Sequence, residues 1–206
     1  MSTTVLAVFI PTFIAVSLTP GMCMTLSMTL GMTIGVRRTF WMMYGELLGV
    51  GLVAAASVVG MAAVMLQYPV LFLVLKYLGG LYLGYLGVQM WLSKGKMAID
   101  FDSGRKTINA PAQLALQGFV TAVANPKGWA FFIALLPPFV NDQQPLALQL
   151  SLLLAIILSI EFICLVLYAT GGRTLNHLLQ KSDNVRLLNR VAGTLMLSVG
   201  IWLALG

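Results

Sequence analysis

The sequence predicts an all-α integral membrane protein with six transmembrane helices, built as a 3+3 inverted repeat in which helices 1 and 4 are broken at proline. Three observations predict this fold. Of the 206 residues, 59% are hydrophobic and 9% are charged, whereas a soluble domain has about 25% charged residues. Six apolar runs are long enough to span a bilayer, for which a helix needs about 20 residues. Finally, three features of the first half recur in the same order in the second half.

The six runs take up nearly the whole chain, so residues 1–206 are expected to form a single membrane domain. The longest polar stretch lies between the third and fourth runs and is interpreted as a cytoplasmic linker, residues 93–111. It separates a first three-helix repeat, residues 1–92, from a second one, residues 112–206. The predicted spans are approximately 4–34, 41–66, 70–92, 112–139, 146–170 and 187–206.

The first and fourth runs are each interrupted by a proline. The first contains Thr19-Pro20-Gly21 and the fourth contains Ala124-Asn125-Pro126-Lys127-Gly128. Proline removes a helix hydrogen bond, so a break or a strong kink is expected at both places. A charged side chain near the bilayer centre costs roughly 2.5–3.5 kcal/mol and usually faces a protein interior or a watery cavity. We therefore predict a site around Lys127; the alternative is a proline kink with this lysine reaching to an interface.

The second and fifth runs each contain one glutamate. At about 1.5 Å per residue, Glu46 lies about 10 Å and Glu161 about 14 Å from the predicted cytoplasmic end of its helix. An ionisable residue inside a membrane segment is by default a functional-site hypothesis. For Glu46 the alternative is a structural ion pair with Arg37 or Arg38 near the interface.

The third and sixth runs share a glycine spacing. Gly80, Gly84 and Gly87 fall on one helix face, and Gly193 and Gly200 repeat the seven-residue interval in the last run. Such stripes usually seat another helix, so packing is predicted, with a smooth pore wall as the alternative. Because each half has three spans, the second half must cross the membrane in the opposite sense. Interrupted helices at corresponding positions of an inverted repeat point to a midplane binding site in a secondary transporter.

The basic residues behind the formal charge of +6 are split among short loops, so their distribution indicates the orientation of the chain in the membrane and not nucleic-acid binding. The positive-inside rule makes the side with most of them cytoplasmic, which places both termini outside the cytoplasm. The opposite side receives only Lys76. The predicted cytoplasmic set is Arg37, Arg38, Lys94, Lys96, Arg105, Lys106, Arg173, Lys181, Arg186 and Arg190.

Enzymatic signatures are missing from the sequence. It contains no phosphate-binding Gly-x-x-x-x-Gly-Lys-Ser/Thr loop and no Cys-x-x-Cys pair. The one histidine, His177, is expected in a loop without ligand partners. Cys23 and Cys164 lie in apolar runs, where a free cysteine behaves mostly as a small hydrophobe. We expect no enzyme activity, no metal site and no cofactor.

The same residues carry a resemblance over essentially the full length. Thr19-Pro20-Gly21, Gly45-Glu46, the stretch 76–87 and Asn125-Pro126-Lys127 with its downstream Phe131-Phe132 resemble the lysine exporter (LysE/RhtB) family of bacterial amino-acid exporters. One departure is that the family usually continues Thr-Pro-Gly with proline and asparagine, where this chain has Met22 and Cys23. The resemblance implies export of an amino acid across the bacterial cytoplasmic (inner) membrane, driven by the proton gradient.

An amino-acid zwitterion needs an anion site and a cation site. Helices that restart after Pro20-Gly21 and Asn125-Pro126 point backbone N–H groups into a cavity and, with Lys127, suit a carboxylate. Glu46 or Glu161 is expected to bind the ammonium group, and either glutamate can also carry a proton.

The alternatives are export of another small metabolite or cation, a channel, and a structural membrane subunit. Besides lipid, a second copy of the chain is a possible partner, because Gly-x-x-x-Gly patterns serve packing within a chain or in a homodimer. These patterns occur at Gly31/Gly35, Gly45/Gly49 and Gly80/Gly84.

Overall fold

The computed structural model describes residues 3–93, 110–136, 139–140, 145–180 and 182–205. All the regular elements within these ranges are helices. In chain order they are α1 (Thr3–Leu18), α2 (Met22–Thr33), α3 (Val36–Gln67), α4 (Pro69–Leu92), α5 (Pro111–Val123), α6 (Pro126–Leu135), α7 (Leu146–Gln180) and α8 (Ser182–Leu205). The all-α class is confirmed. Most of the predicted linker, residues 94–109, lies outside the described ranges.

Long apolar helices support the membrane assignment. Within the described residues, Val36–Gly60 of α3 and Leu146–Gly172 of α7 are each long and apolar enough to cross a bilayer. Leu6–Leu18 and Met22–Thr33 meet the same criteria as a pair, with a bend of 53° between them. The described helices thus supply two candidate spans, or three if the bent pair is one span, and the count of six stays a prediction.

Both predicted helix breaks are present. α1 ends at Leu18 and α2 begins at Met22, after Gly21 in an extended conformation with φ −132° and ψ −175°. α5 ends at Val123 and α6 begins at Pro126. Proline is well tolerated at a first helical position, because the N–H that it lacks would have no partner within the helix. The chain therefore stops and restarts its helix at each of these points.

The structure differs from expectation around α7. The sequence Gly171-Gly172-Arg173 is expected to close the helix, and Gly172 does interrupt it, with a non-helical φ of 21° and ψ of −103°; a second helical segment, which was not expected, then continues to Gln180. Glycine adopts this conformation without the steric cost that a Cβ would bring. The expectation that His177 lies in a loop is therefore wrong, because its backbone belongs to α7.

Glycines bring α4 and α8 into close contact. A Cβ built at Gly87 would lie 2.8 Å from the carbonyl oxygen of Gly193, and one at Gly200 would lie 2.8 Å from that of Gly80. The predicted packing role of the two stripes is confirmed, and the two stripes pack on each other.

The broken helices pack against the long helices of the opposite half. α2 crosses α7 closely enough that a Cβ at Gly31 would lie 2.4 Å from the carbonyl oxygen of Ala169, and α5 crosses α3 similarly at Gly45 and Gly118. α3 and α7 also touch each other. The glycines at 31, 45 and 80 therefore serve packing within one chain.

Candidate functional site

A buried cavity lies where the two helix breaks meet α3 and α7. The space in it that water-sized molecules can occupy is about 70 Å³. Four of the predicted site residues line this cavity, namely Gly21, Glu46, Asn125 and Glu161. They come from the first break, α3, the second break and α7, so the fold brings together residues that are up to 140 positions apart in the sequence.

The rest of the lining is mainly apolar. Ser17, Thr19 and Cys23 add polar or polarisable atoms next to the first break. Such a mixture, apolar walls with a few convergent polar groups, is typical of small-molecule sites. The apolar walls are formed by Phe13, Val16, Met22, Met24, Val50, Val53, Ala122, Phe131 and Phe132.

Glu161 is held in place by the first broken helix. The Ser17 hydroxyl donates a hydrogen bond of 2.7 Å to Oε2 of Glu161, which is 9% exposed. A hydroxyl donor stabilises a buried carboxyl and fixes its orientation. The end of α1 and the middle of α7 are therefore linked through a functional group of the cavity.

Glu46 is fully buried, with an exposed fraction of 0%. Neither of its carboxyl oxygens makes a hydrogen bond within the described part of the chain. The Cys23 thiol and the Glu161 carboxyl are near enough for electrostatic interaction with it. Arg37 and Arg38, by contrast, are exposed. The alternative in which Glu46 forms an interfacial ion pair with one of these arginines is therefore wrong for this structure.

Asn125 connects the two breaks. Its side-chain Nδ2 donates to the Cys23 sulfur at 4.0 Å, a weak contact, and its backbone oxygen accepts from the N–H groups of Gly128 and Trp129. Cys23, read from sequence as apolar filling, therefore belongs to the cavity.

The other three predicted site residues, Pro20, Pro126 and Lys127, are not among the described lining residues of this cavity. Lys127 is the second residue of α6, at the end that carries the partial positive charge of the helix dipole. The side chains of Pro126 and Lys127 lie outside the described part of the structure. Pro20 lines a second cavity beside the first break.

α7 also fixes the backbone on both sides of the first break. The Tyr168 hydroxyl donates to the carbonyl oxygen of Leu18, the last residue of α1, at 2.7 Å. The Ser27 hydroxyl of α2 donates to the carbonyl oxygen of Leu165 at 2.8 Å. A carbonyl at a helix end has no hydrogen-bond donor within its own helix. The Tyr168 hydroxyl therefore supplies the donor that the Leu18 carbonyl lacks because of the break.

Replacing Tyr168 with phenylalanine should lower the stability of the detergent-solubilised protein, because the Leu18 carbonyl then loses its donor. The expected loss is about 1 kcal/mol, measured as a decrease in Tm relative to the unaltered chain. Tyr44→Phe is the matched control, since Tyr44 is 53% exposed. Equal Tm values for the two variants would contradict the capping role.

Sequence reasoning missed Ser17, Thr19 and Tyr168. For Ser17 and Thr19 the signal is proximity to a predicted break, where polar side chains satisfy freed backbone groups. For Tyr168 no local signal exists, because its partner is 150 residues away. Among the described residues, no group of three His, Cys, Asp or Glu side chains is placed to hold a metal ion.

Comparison with known proteins gives a family match. The family model described as LysE type translocator matches residues 14–206. The homoserine/homoserine lactone efflux protein of Salmonella typhi is 29% identical over 160 residues, 78% of this chain and 76% of the relative. The leucine efflux protein of Salmonella choleraesuis is 24% identical over 166 residues, 78% and 76% of the two chains.

A longer match has no assigned activity. An uncharacterized membrane protein of Vibrio cholerae is 23% identical over 196 residues, 95% of this chain and 94% of the relative. No solved structure matches the chain at a significant level.

Proposed function

The chain belongs to the LysE type translocator family, and from this premise we propose that it is a secondary transporter that exports a small amino acid in exchange for protons. A translocator is not an enzyme, and the cavity is interpreted as a binding site without a catalytic role. The observation that carries the proposal is the pair of carboxyl groups, Glu46 and Glu161, in one buried cavity between two broken helices.

The two carboxyls favour a substrate with an ammonium group. Two negative charges on buried carboxyls repel each other, so a cation has to accompany them. A primary ammonium group brings one positive charge and three donors. It can therefore supply the hydrogen bonds that the oxygens of Glu46 lack within the described residues.

The walls favour an amino acid with an uncharged side chain. Phe131, Phe132 and Val50 offer apolar contact, and Ser17 and Thr19 offer hydroxyls. Relatives of this chain are named as exporters of homoserine or leucine, which both have uncharged side chains. The cavity is smaller than one of about 150 Å³ that holds benzene, so it has to widen when substrate binds.

The substrate carboxylate is assigned to the second break. The Asn125 amide lines the cavity, and the N-terminal turn of α6 presents the positive end of its dipole there. Lys127 belongs to this turn and supplies a cation near the substrate carboxylate in our proposal. Gly21 belongs to the first break and lines the same cavity. In this proposal, backbone groups of both breaks therefore face the bound molecule.

Proton exchange follows from competition for the same carboxyls. Glu46 and Glu161 need a proton or an ammonium group, and the two cations exclude each other from a small cavity. In the proposed cycle the carboxyls release protons to the cytoplasm when the amino acid binds. They take up protons from outside after the amino acid has left.

Helix pairing supports the inverted repeat that alternating access needs. The pair α1 and α2 packs on α7, and the pair α5 and α6 packs on α3, whereas α4 packs on α8 and α3 on α7. Exchanging the first half with the second maps these pairs onto one another, although the contacts of α1 with α8, α2 with α3 and α4 with α6 have no counterpart of comparable extent among the described residues. We therefore propose six spans, in two repeats over residues 1–92 and 112–206, in the bacterial cytoplasmic membrane with both termini outside the cytoplasm.

Transport assays of the purified protein in liposomes test the proposal. With the lumen more acidic than the outside, protons leave and labelled homoserine or leucine should accumulate inside; without the gradient the label should only equilibrate. Glu161→Gln and Lys127→Ala should each abolish accumulation. Ser159→Ala, on the exposed face of α7, is the matched control and should not.

Two outcomes would contradict the proposal. Transport at the unaltered rate by both variants would show that the site is wrong. Label that equilibrates without saturation or counterflow would identify a channel instead of a carrier.

A further inference from the structure

A second cavity lies beside the first break, between α4 and α8. Its space for water-sized molecules is about 240 Å³, larger than that of the central cavity. Its polar lining consists of Thr19, Gln89, Ser93 and Asn189, and Pro20 adds a wall at the break. Leu86, Met90 and Met196 form the rest of the lining, so this cavity, like the central one, combines apolar walls with a few polar groups.

The bend of the first broken helix explains why this space exists. α1 packs on α7 and α8, but α2 turns by 53° and packs on α7 and α3. Beyond Pro20 the chain therefore turns away from α8. As a result, α2 does not cover the walls of α4 and α8 that line this cavity. A straight helix through Thr19-Pro20-Gly21 would run along them.

Thr19 separates the two cavities. It is the residue that lines both, and it is 7% exposed. Its hydroxyl donates to the carbonyl oxygen of Ala15 at 2.8 Å, which holds the side chain against α1. Movement of the segment from Thr19 to Gly21 would open one cavity to the other, because Thr19 is the one described residue that borders both.

The far end of the second cavity is polar. Asn189 is 8% exposed and donates a hydrogen bond to the Ser93 hydroxyl, where α4 ends. Arg190, the residue after Asn189, is not among the described lining residues, and its guanidinium lies 5.1 Å from the centre of the Trp91 ring. It belongs to the basic residues that the positive-inside rule assigns to the cytoplasm. This end of the cavity therefore lies on the predicted cytoplasmic side.

From this geometry we propose that the second cavity is the cytoplasmic entrance of the transporter, and that Thr19 and Pro20 form the gate between it and the central site. This inference rests on the proposed function. The amide nitrogens of Gln89 and Asn189 already donate to the Tyr85 and Ser93 hydroxyls, so their oxygens bind the ammonium group of an amino-acid zwitterion weakly. The solute then passes to Glu46 and Glu161 when the gate opens. The same break thus shapes the binding site on one side and the entrance on the other.

Side-specific thiol modification tests the entrance. Ser93→Cys and Gln89→Cys place a thiol in the cavity wall, and Leu92→Cys, which is 73% exposed on the outer face of α4, is the matched control. The native Cys23 and Cys164 are buried, so the unaltered chain reports any reaction of its own thiols. The reagent is a membrane-impermeant methanethiosulfonate ammonium, applied to inside-out or right-side-out membrane vesicles.

We expect modification of the cavity thiols from the cytoplasmic face only, with transport of labelled homoserine or leucine reduced to the level of vesicles without the protein. Excess unlabelled substrate on that face should slow the reaction. Modified Leu92→Cys should transport at its unmodified rate.

These outcomes distinguish failure of the proposed entrance from failure of the proposed function. Cavity thiols that react only from the outer face, that react with no loss of transport, or that do not react at all overturn the entrance while transport by the unmodified chain stands. If the unmodified chain transports neither amino acid, the proposed function fails and the entrance with it.

Discussion

Replacing Glu46 with glutamine should abolish transport and raise the Tm of the protein at the same time. The buried carboxyl has no hydrogen-bond partner within the described residues and lies near Glu161, so the empty protein has to bind a proton to keep Glu46 neutral, which costs stability at neutral pH. An amide needs no such proton, so the glutamine variant should be more stable by about 1–3 kcal/mol. Loss of an ion pair with the substrate costs about 3–5 kcal/mol, which predicts transport slower by a factor of about 100 or more.

Glu161→Gln is the matched comparison for stability. The Ser17 hydroxyl already donates to Glu161, and an amide oxygen can accept the same bond. This variant should therefore lose transport with little change in Tm, whereas Glu46→Gln gains stability. Equal Tm changes in the two variants, or normal transport by Glu46→Gln, would contradict the different roles of the two carboxyls.

A gain in stability on loss of a site residue is the expected sign of a functional carboxyl. A buried carboxyl that has no protein partner costs stability, so its retention fits a site where a proton or a ligand supplies the partner. The position of Glu46 between the breaks fits this description. Its destabilising effect in the empty protein becomes affinity for the ammonium group in the loaded one.

Sequence alone predicted the elements that depend on local chemistry. Pro20 and Pro126 mark the breaks because proline cannot continue a helix, and Glu46 and Glu161 stand out because carboxylates in apolar runs need a reason. Glycine spacing likewise predicted close helix packing, since only small residues allow so close an approach, but it did not predict that α4 and α8 are each other's partners.

The remaining features depend on contacts between distant residues. Ser17 meets Glu161 across 144 positions and Tyr168 meets Leu18 across 150, and no local pattern reports such pairs. The sequence also cannot show that Thr19 borders two cavities. The glycine pair interrupts α7 at Gly172 as predicted, but the helical segment that follows it to Gln180 was not predicted.

Replacing Gly45 with alanine should prevent stable folding, although the change adds one methyl group. A Cβ at this position would lie 1.8 Å from the carbonyl oxygen of Ala115. Backbone cannot move aside as a side chain can, so α3 and α5 would have to separate. Overpacking of this kind costs about 3 kcal/mol or more, a large part of the roughly 5–15 kcal/mol that stabilises a typical domain. Folded yield in detergent and Tm measure the loss.

Gly60→Ala is the matched control within the same helix, because a Cβ there meets nothing within 4 Å. It should be neutral or slightly stabilising, since alanine has the higher helix propensity. A Tm for Gly45→Ala equal to that of Gly60→Ala would show that the two helices are not in this contact.

The same crossing sets the geometry of the site. A Cβ at Gly118 would lie 2.0 Å from the carbonyl oxygen of Met42 and 2.9 Å from the backbone nitrogen of Glu46. α5 therefore lies directly against the turn of α3 that carries the carboxyl, and it ends at the Asn125 break only two turns later. Gly118→Ala should consequently reduce transport even in the fraction of protein that folds, because any separation of the helices moves Glu46 away from the second break.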